Sequence, residues 1–204
     1  MDAVFHSSAY WLKNQNFSSD TTSFRINNIT GDKLVFSTEV YSSFVDFKTK
    51  IGRFRTNGQG SRVQFPVNQY ETFMDEFDWY MDENKVRLRN NLAGSAGELE
   101  KLSLRELMDI DLKGSEFLSV HPGQDSLRFF ALNAEYSLED NIIHAADVKF
   151  IHVADAAVFP LDGKVTIGPE AVMEKLSKAS MIIDTSNKYH YIYDADVKIK
   201  SGKE

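Results

Sequence analysis

Ala146-Asp147-Val148-Lys149, followed by Phe150, recurs as Ala195-Asp196-Val197-Lys198, followed by Ile199. Each copy lies in a run where apolar and polar residues alternate, the period of a strand with one buried face. A partial echo, Val153-Ala154-Asp155-Ala156, lies between them. In the first run Ile142, His144, Ala146, Val148 and Phe150 fall on one side of the pleat. In the second, Tyr191, Tyr193, Ala195, Val197 and Ile199 do. Repeated short strands in one register predict a stacked β architecture, and so a surface or scaffold more than a catalytic pocket. Val148 and Val197 are then both expected in the core, with Lys149 and Lys198 both outside.

The rest of the chain extends this pattern. Leu34, Phe36, Thr38 and Val40 alternate with their neighbours, and residues 46–54 read as a hairpin around a polar turn. Asn57-Gly58 is a turn dipeptide. Val63 and Phe65 form a short strand stopped by Pro66. Phe77, Trp79 and Met81 lead through Asp82-Glu83-Asn84 back to Val86 and Leu88. Residues 1–22 are polar, with a small apolar cluster at Tyr10, Trp11 and Leu12, and read as an entry segment. In residues 90–109, Gly94 and Gly97 break the alternation. Residues 98–102 and 104–108 look helical there, with Ser103 a candidate N-cap. This stretch reads as a loop or helical connection between two β-rich halves, 23–89 and 110–204. Gly168-Pro169 predicts a short helix over 170–176, because proline suits the first helical position. Met181-Ile182-Ile183 is a further strand, and residues 189–199 read as the longest one.

The chain of 204 residues is 42% hydrophobic and 12% aromatic, with 15 Phe and 8 Tyr. A globular chain of this size buries roughly 70% of its unfolded surface and needs no disulfide or metal to be stable. The absence of cysteine excludes disulfide frameworks, thiol nucleophiles and zinc–thiolate sites. A net charge of -7 disfavours nucleic acid and anionic lipid as partners. Arg53-Phe54-Arg55 and Arg87-Leu88-Arg89 each place only a pair of cations on one strand face. No positive segment followed by an apolar one opens the chain, and no apolar run approaches the ~20 residues of a membrane helix. Ser201-Gly202-Lys203-Glu204 follows directly on a strand, so the chain is expected to be a fragment of a longer polypeptide, in which case a missing signal says nothing about export.

Several residue sets carry potential chemistry. His144-Ala145-Ala146-Asp147 and His152-Val153-Ala154-Asp155 repeat His-x-x-Asp, a good ligand set for zinc or manganese. In one continuous strand the two histidines stand about 26 Å apart, so the plainer reading is a repeated strand with a half-buried histidine. Asp194-Ala195-Asp196 puts two carboxylates on one strand side, but no Gly-rich phosphate loop or βαβ pattern accompanies it. The plainer reading is a polar outer face. Asn57-Gly58-Gln59-Gly60 is read as a hairpin turn, and no Gly-x-Ser-x-Gly nucleophile elbow is present. Tyr189, Tyr191 and Tyr193 form an aromatic stripe. Exposed, it would stack on a ligand such as a sugar ring; buried, it would be core. These tyrosines are the candidate ligand-binding residues. No catalytic residue, metal or cofactor is assigned.

Two resemblances add to this reading. Residues 117–127 (Phe-Leu-Ser-Val-His-Pro-Gly-Gln-Asp-Ser-Leu), 148–156 (Val-Lys-Phe-Ile-His-Val-Ala-Asp-Ala) and 188–195 (Lys-Tyr-His-Tyr-Ile-Tyr-Asp-Ala) resemble stretches of large Bacteroidetes envelope or surface proteins of uncharacterised activity, over roughly residues 40–200. The succession of residues 131–136 and 143–148 is similar to the OstA-like domains of lipopolysaccharide-transport proteins. That second likeness implies short antiparallel strands stacked into an open, folded-over sheet with an apolar groove. The helix-like pieces depart from a pure stack.

The resulting expectation is a mostly β fold of about twelve short stacked antiparallel strands with one or two short helices. The expected function is that of a non-catalytic structural or binding segment of a larger bacterial envelope or surface protein, periplasmic or extracellular as the resemblance implies. The expected partners are neighbouring segments of the parent chain, with self-association through edge strands. One alternative is a groove shielding a lipid or other amphipathic ligand. The other is a carbohydrate-active or glycan-binding β module.

Overall fold

The computed structural model describes residues 2–28, 30–56, 60–90, 103–108, 114–124, 127–187 and 190–200. In chain order the strands are β1 (Ala3–His6), β2 (Trp11–Lys13), β3 (Asn16–Asn27), β4 (Leu34–Thr38), β5 (Tyr41–Asp46), β6 (Ile51–Arg55) and β7 (Ser61–Phe65). Next come β8 (Tyr70–Met74), β9 (Glu76–Tyr80), β10 (Lys85–Arg89), β11 (Ser115–Ser119), β12 (Arg128–Ala131) and β13 (Asn133–Ser137). The last are β14 (Ile142–Ala146), β15 (Ile151–Val153), β16 (Ala156–Phe159), β17 (Val165–Ile167), β18 (Leu176–Ile183) and β19 (His190–Val197). The one described α-helix is α1 (Leu104–Met108).

Among the described residues the strands form a single open antiparallel sheet of 19 strands. It is folded over at β3, whose first part pairs with β2 and β5 and whose last part pairs with β1 and β4. The fold yields two facing layers. The short layer runs β2, β3, β5, β6, β9, β10, β13, β14, β17. The long layer runs β1, β3, β4, β7, β8, β11, β12, β15, β16, β18, β19. From β5 to β16 the chain lays successive hairpins alternately in one layer and the other. Each hairpin pairs with the previous one in its own layer, as β6 with β9 and β10 with β13. The pairings of β8 with β11 and of β10 with β13 carry both layers across residues 90–109.

Period-2 alternation builds the core. Inward residues of the short layer, such as Phe54 and Phe77, meet inward residues of the long layer, such as Phe24 and Phe36. Phe54 and Phe77 stack at 4.3 Å and Phe24 lies 4.7 Å from Phe54, while Phe36 meets Phe77 edge-on at 5.4 Å. Further along, Phe65 meets Tyr136 at 5.0 Å and Phe117 stacks on Phe129 at 5.2 Å. Rings in these geometries add attraction beyond their area burial. Tyr41 spans the layers from β5, its hydroxyl donating to the Met74 carbonyl at 2.7 Å.

Four of the hairpins share one turn. Residues 47–50, 66–69, 81–84 and 138–141 each join two strands, and the last residue of each has positive φ: Lys50, Gln69, Asn84 and Asn141. In the short layer the carbonyl of that residue faces the next turn along. The Phe47 amide donates to the Gln15 carbonyl at 2.8 Å, Met81 to Lys50 at 3.1 Å and Leu138 to Asn84 at 2.9 Å. The backbone ladder therefore continues past the strand ends through the turns. Asparagine tolerates this left-handed conformation; lysine and glutamine are held there by their surroundings.

The tetrapeptides do not repeat in structure. The first is a corner: β14 ends at Ala146, Asp147 has φ +61°, and the chain crosses to the other layer before β15. Ala146 consequently lies on the outer face of the short layer, while Val148 is buried in the main core. The second lies in edge strand β19. Two register shifts, one at Lys178 in β18 and one at Asp194 in β19, both residues at positive φ, flank the Ala179–Ala195 pair; Tyr191 and Tyr193 fall on one face, with Ala195 against buried Ala179 on the other. The shared register over Tyr191–Val197 thus fails at a bulge, which re-aims side chains by one position.

Other expectations need correction. Residues 1–22 contain β1, β2 and the first part of β3, which is the longest strand. Residues 170–176 are not helical: Pro169–Ala171 make one 3-10 turn, and Glu170 and Ala171 have positive φ. Ser103 does cap α1. Its amide donates to the Glu106 carboxylate at 2.8 Å and its hydroxyl accepts from the Glu106 amide at 3.4 Å, a capping box. Leu107 then docks in a second apolar cluster with Phe150, Ala157, Phe159 and Ile182. The Asn57-Gly58 turn and the helical stretch 98–102 lie outside the described residues.

Candidate functional site

The sequence singles out the tyrosine stripe, and the fold puts Tyr191 and Tyr193 on β19, the last described strand of the long layer. Among the described residues β19 pairs with β18 alone. Tyr191 and Tyr193 are 36% and 66% exposed. Their rings lie 6.3 Å apart and within 9° of parallel. They form an exposed platform; neither ring is core. Tyr189 lies outside the described residues. On the opposite face of the strand Ile192 sits across from Met181 and is 40% exposed, because β17, the last strand of the short layer, stops before reaching it.

The Asp-x-Asp motif is taken apart by the same bulge. Asp194 has φ +54°, and Asp196 pairs with Lys175 at 2.8 Å, which holds its carboxyl below the usual range. The two carboxylates are not presented together as one strand face would present them.

The two histidines stand on opposite outer faces, His144 on the short layer beside Thr166 and His152 on the long layer beside Arg128. Strand length is not what parts them; the corner at Asp147 is. Each His-x-x-Asp residue has a local partner. Thr166 Oγ1 is 3.5 Å from His144 Nδ1. Asp147 accepts from the Asn133 side chain at 3.2 Å, and Asp155 from the Thr185 amide and hydroxyl at 3.2 and 3.1 Å. His152 packs edge-on against Phe150 at 4.9 Å, and burial, aided by Arg128, pulls its pKa below the ordinary histidine value. Among the described residues no group of three or more His, Asp and Glu side chains is placed to hold a metal.

The feature least visible in the sequence is a charge ladder on the outer face of the short layer. Ser18, Phe44, Arg53, Asp78, Arg87, Glu135, His144 and Thr166 lie in one cross-strand row. The next row holds Arg55, Glu76, Arg89, Asn133 and Ala146. The two Arg-x-Arg strands thus flank β9, which presents Glu76 and Asp78. Arg55 meets Glu76 at 3.3 Å, Arg89 meets Asp78 at 3.0 Å and Arg87 meets Glu135 at 3.0 Å. Opposite charges across strands, directly opposed as in Arg55–Glu76 and Arg87–Glu135 or diagonal as in Arg89–Asp78, stabilise a sheet modestly. The signal available in sequence is the matching parity of Arg53/Arg55, Glu76/Asp78 and Arg87/Arg89, but pairing order is needed to use it.

No family model matches the chain, and no curated protein matches it in sequence.

Proposed function

We propose that this chain is a non-catalytic structural segment of a larger bacterial envelope or surface protein, joined to neighbouring segments through its end strands. The observation that carries this reading is the uneven termination of the two layers. β18 and β19 run on past β17, and among the described residues no strand of the short layer lies opposite Ile192 of β19. At the other end, Leu12 of β2 pairs with buried Phe17 on the core-facing side, yet is 78% exposed. Open edges carrying apolar side chains invite pairing. A second segment of the same build would bring its β2 end under the β18–β19 overhang. Placement in the envelope rests on the resemblance to Bacteroidetes proteins alone. The packed rings between the layers favour a scaffold over a lipid-shielding groove. A second reading, glycan binding at β19, is favoured by the parallel exposed pair Tyr191 and Tyr193.

The test is sedimentation velocity over a wide concentration range. The chain should self-associate reversibly, and Ile192→Lys should abolish the association while leaving the circular dichroism spectrum unchanged. A chain that stays monomeric throughout, or an Ile192→Lys variant that associates equally well, would overturn the proposal.

A further inference from the structure

The geometry points to a binding site for an acidic oligosaccharide on the outer face of the short layer, independent of the end-to-end reading above. Three strand segments, 87–89, 133–135 and 144–146, together with Lys164 and the start of β17, line an open recess of about 350 Å³. On the far side of Lys164 and Thr166 lies a second recess of about 410 Å³, bounded by the start of β18. Lys164 and Thr166 line both, so the two form one trough with a shared wall. Each is of a size that takes a small molecule.

The first recess exists because of Ala146. In the cross-strand grid its neighbours are Asn133 on β13 and His144 along β14, both carrying larger polar side chains. Where another long side chain would stand there is a methyl group, so the floor is apolar and the rim polar. The lining surface is mostly carbon. A pyranose ring matches this division: its C–H face lies on the floor and its hydroxyls meet Asn133, Glu135 and Arg89 at the rim. Arg87 is pre-positioned, its guanidinium 4.5 Å above the Tyr80 ring and bonded to Glu135 and Glu83.

Charge selects an acidic sugar. The two recesses are lined by five cations (Arg87, Arg89, Lys164, Lys175, Lys178) and three carboxylates (Glu135, Asp162, Glu174). This local excess stands in a chain of net charge -7. Arg87, Arg89 and Lys175 have close carboxylate partners. Lys164 has only Asp162 at 3.8 Å, and Lys178 has no ion pair among the described residues. The least neutralised cations are therefore one on the shared wall and one in the second recess. A linear ligand with a ring in each recess and repeated carboxylates would meet both. A compact anion would find no use for the apolar floor.

The experiment is isothermal titration at low salt with three probes: tetragalacturonate, cellotetraose and tripolyphosphate. Tetragalacturonate should bind at least tenfold more tightly than either of the others. Lys164→Glu, at an exposed position, should weaken it at least tenfold. Ala146→Trp, which fills the floor, should do the same with Lys164 intact; near-ultraviolet circular dichroism reports whether the layer is preserved. Equal binding by cellotetraose would remove the role of charge. Equal binding by tripolyphosphate would reduce the site to a generic cationic patch. Absence of tetragalacturonate binding, or binding indifferent to Lys164→Glu, would likewise overturn the proposal. Self-association is read in the sedimentation experiment and is not affected by these variants.

Discussion

The side-chain amide of Asn68 donates to the backbone carbonyl of Ile167 at 3.1 Å, joining the long layer to the short one. Its other hydrogen reaches the Asn141 carbonyl at 2.7 Å, in the turn between β13 and β14. Asn68 is fully buried. Both carbonyls lie near strand ends, where a buried acceptor without a partner is costly. Asn68→Ala should therefore lower unfolding stability by about 1–3 kcal/mol. Asn68→Asp should cost more at neutral pH, because a buried carboxylate would face two carbonyl oxygens. Urea denaturation of the three proteins checks the order; an alanine variant as stable as the parent would refute it.

Gln69, one residue further, tests the common turn. Its φ is +53°, and its carbonyl accepts from the Val120 amide at 2.8 Å. Glycine takes this conformation without steric cost, whereas a β-branched residue is strongly disfavoured. Gln69→Gly should stabilise by up to about 1 kcal/mol, and Gln69→Val should destabilise by about 1–2 kcal/mol. Thermal melting of the pair should bracket the parent protein.

The two Ala-Asp-Val-Lys copies should respond differently to one change. Val148 is buried in the main core, while Val197 is only partly covered at the β18–β19 edge. Val148→Ala should cost about 1–3 kcal/mol from transfer and cavity terms, and Val197→Ala distinctly less. Equal losses in chemical denaturation would revive the repeat as a structural unit.

Glu135 gives the charge ladder a pH signature. Lys85 and Arg87 hold its carboxyl below the usual 4.5. A folded pKa below the unfolded one gives stability that is present above the unfolded value and lost as pH falls through the folded value. The pair is partly exposed, so the contribution should not exceed about 1 kcal/mol. Glu135→Gln should melt slightly below the parent at pH 7, and the gap should close in acid. A gap independent of pH would mean that the carboxylate charge is not what acts.

The strands legible in sequence are those whose inward residues are large and apolar, such as Val86 and Leu88 of β10. β3 escapes this signal. At the corner where it changes layers its buried residues are Ser19 and Thr22, whose hydroxyls each pair with a serine elsewhere in the chain: Ser19 with Ser7 at 2.6 Å and Thr22 with Ser43 at 2.7 Å. A strand with a buried hydroxyl face looks like a polar loop. The corner at Asp147 and the bulge at Asp194 escape for a related reason, since neither residue is glycine or proline. The exposed tyrosine platform and the trough around Ala146 depend on where each layer stops and on which strands are neighbours, and local patterning carries neither.

Alternating hairpins have a mechanical meaning. Successive strands lie across the long axis of the stack, β1 and β2 at one end and β19 at the other, and the backbone hydrogen bonds run along that axis. Tension between the two ends therefore loads the bonds of one strand in sequence and not all together. The element should lengthen by peeling hairpin after hairpin at low force, paying out chain like a folded strap.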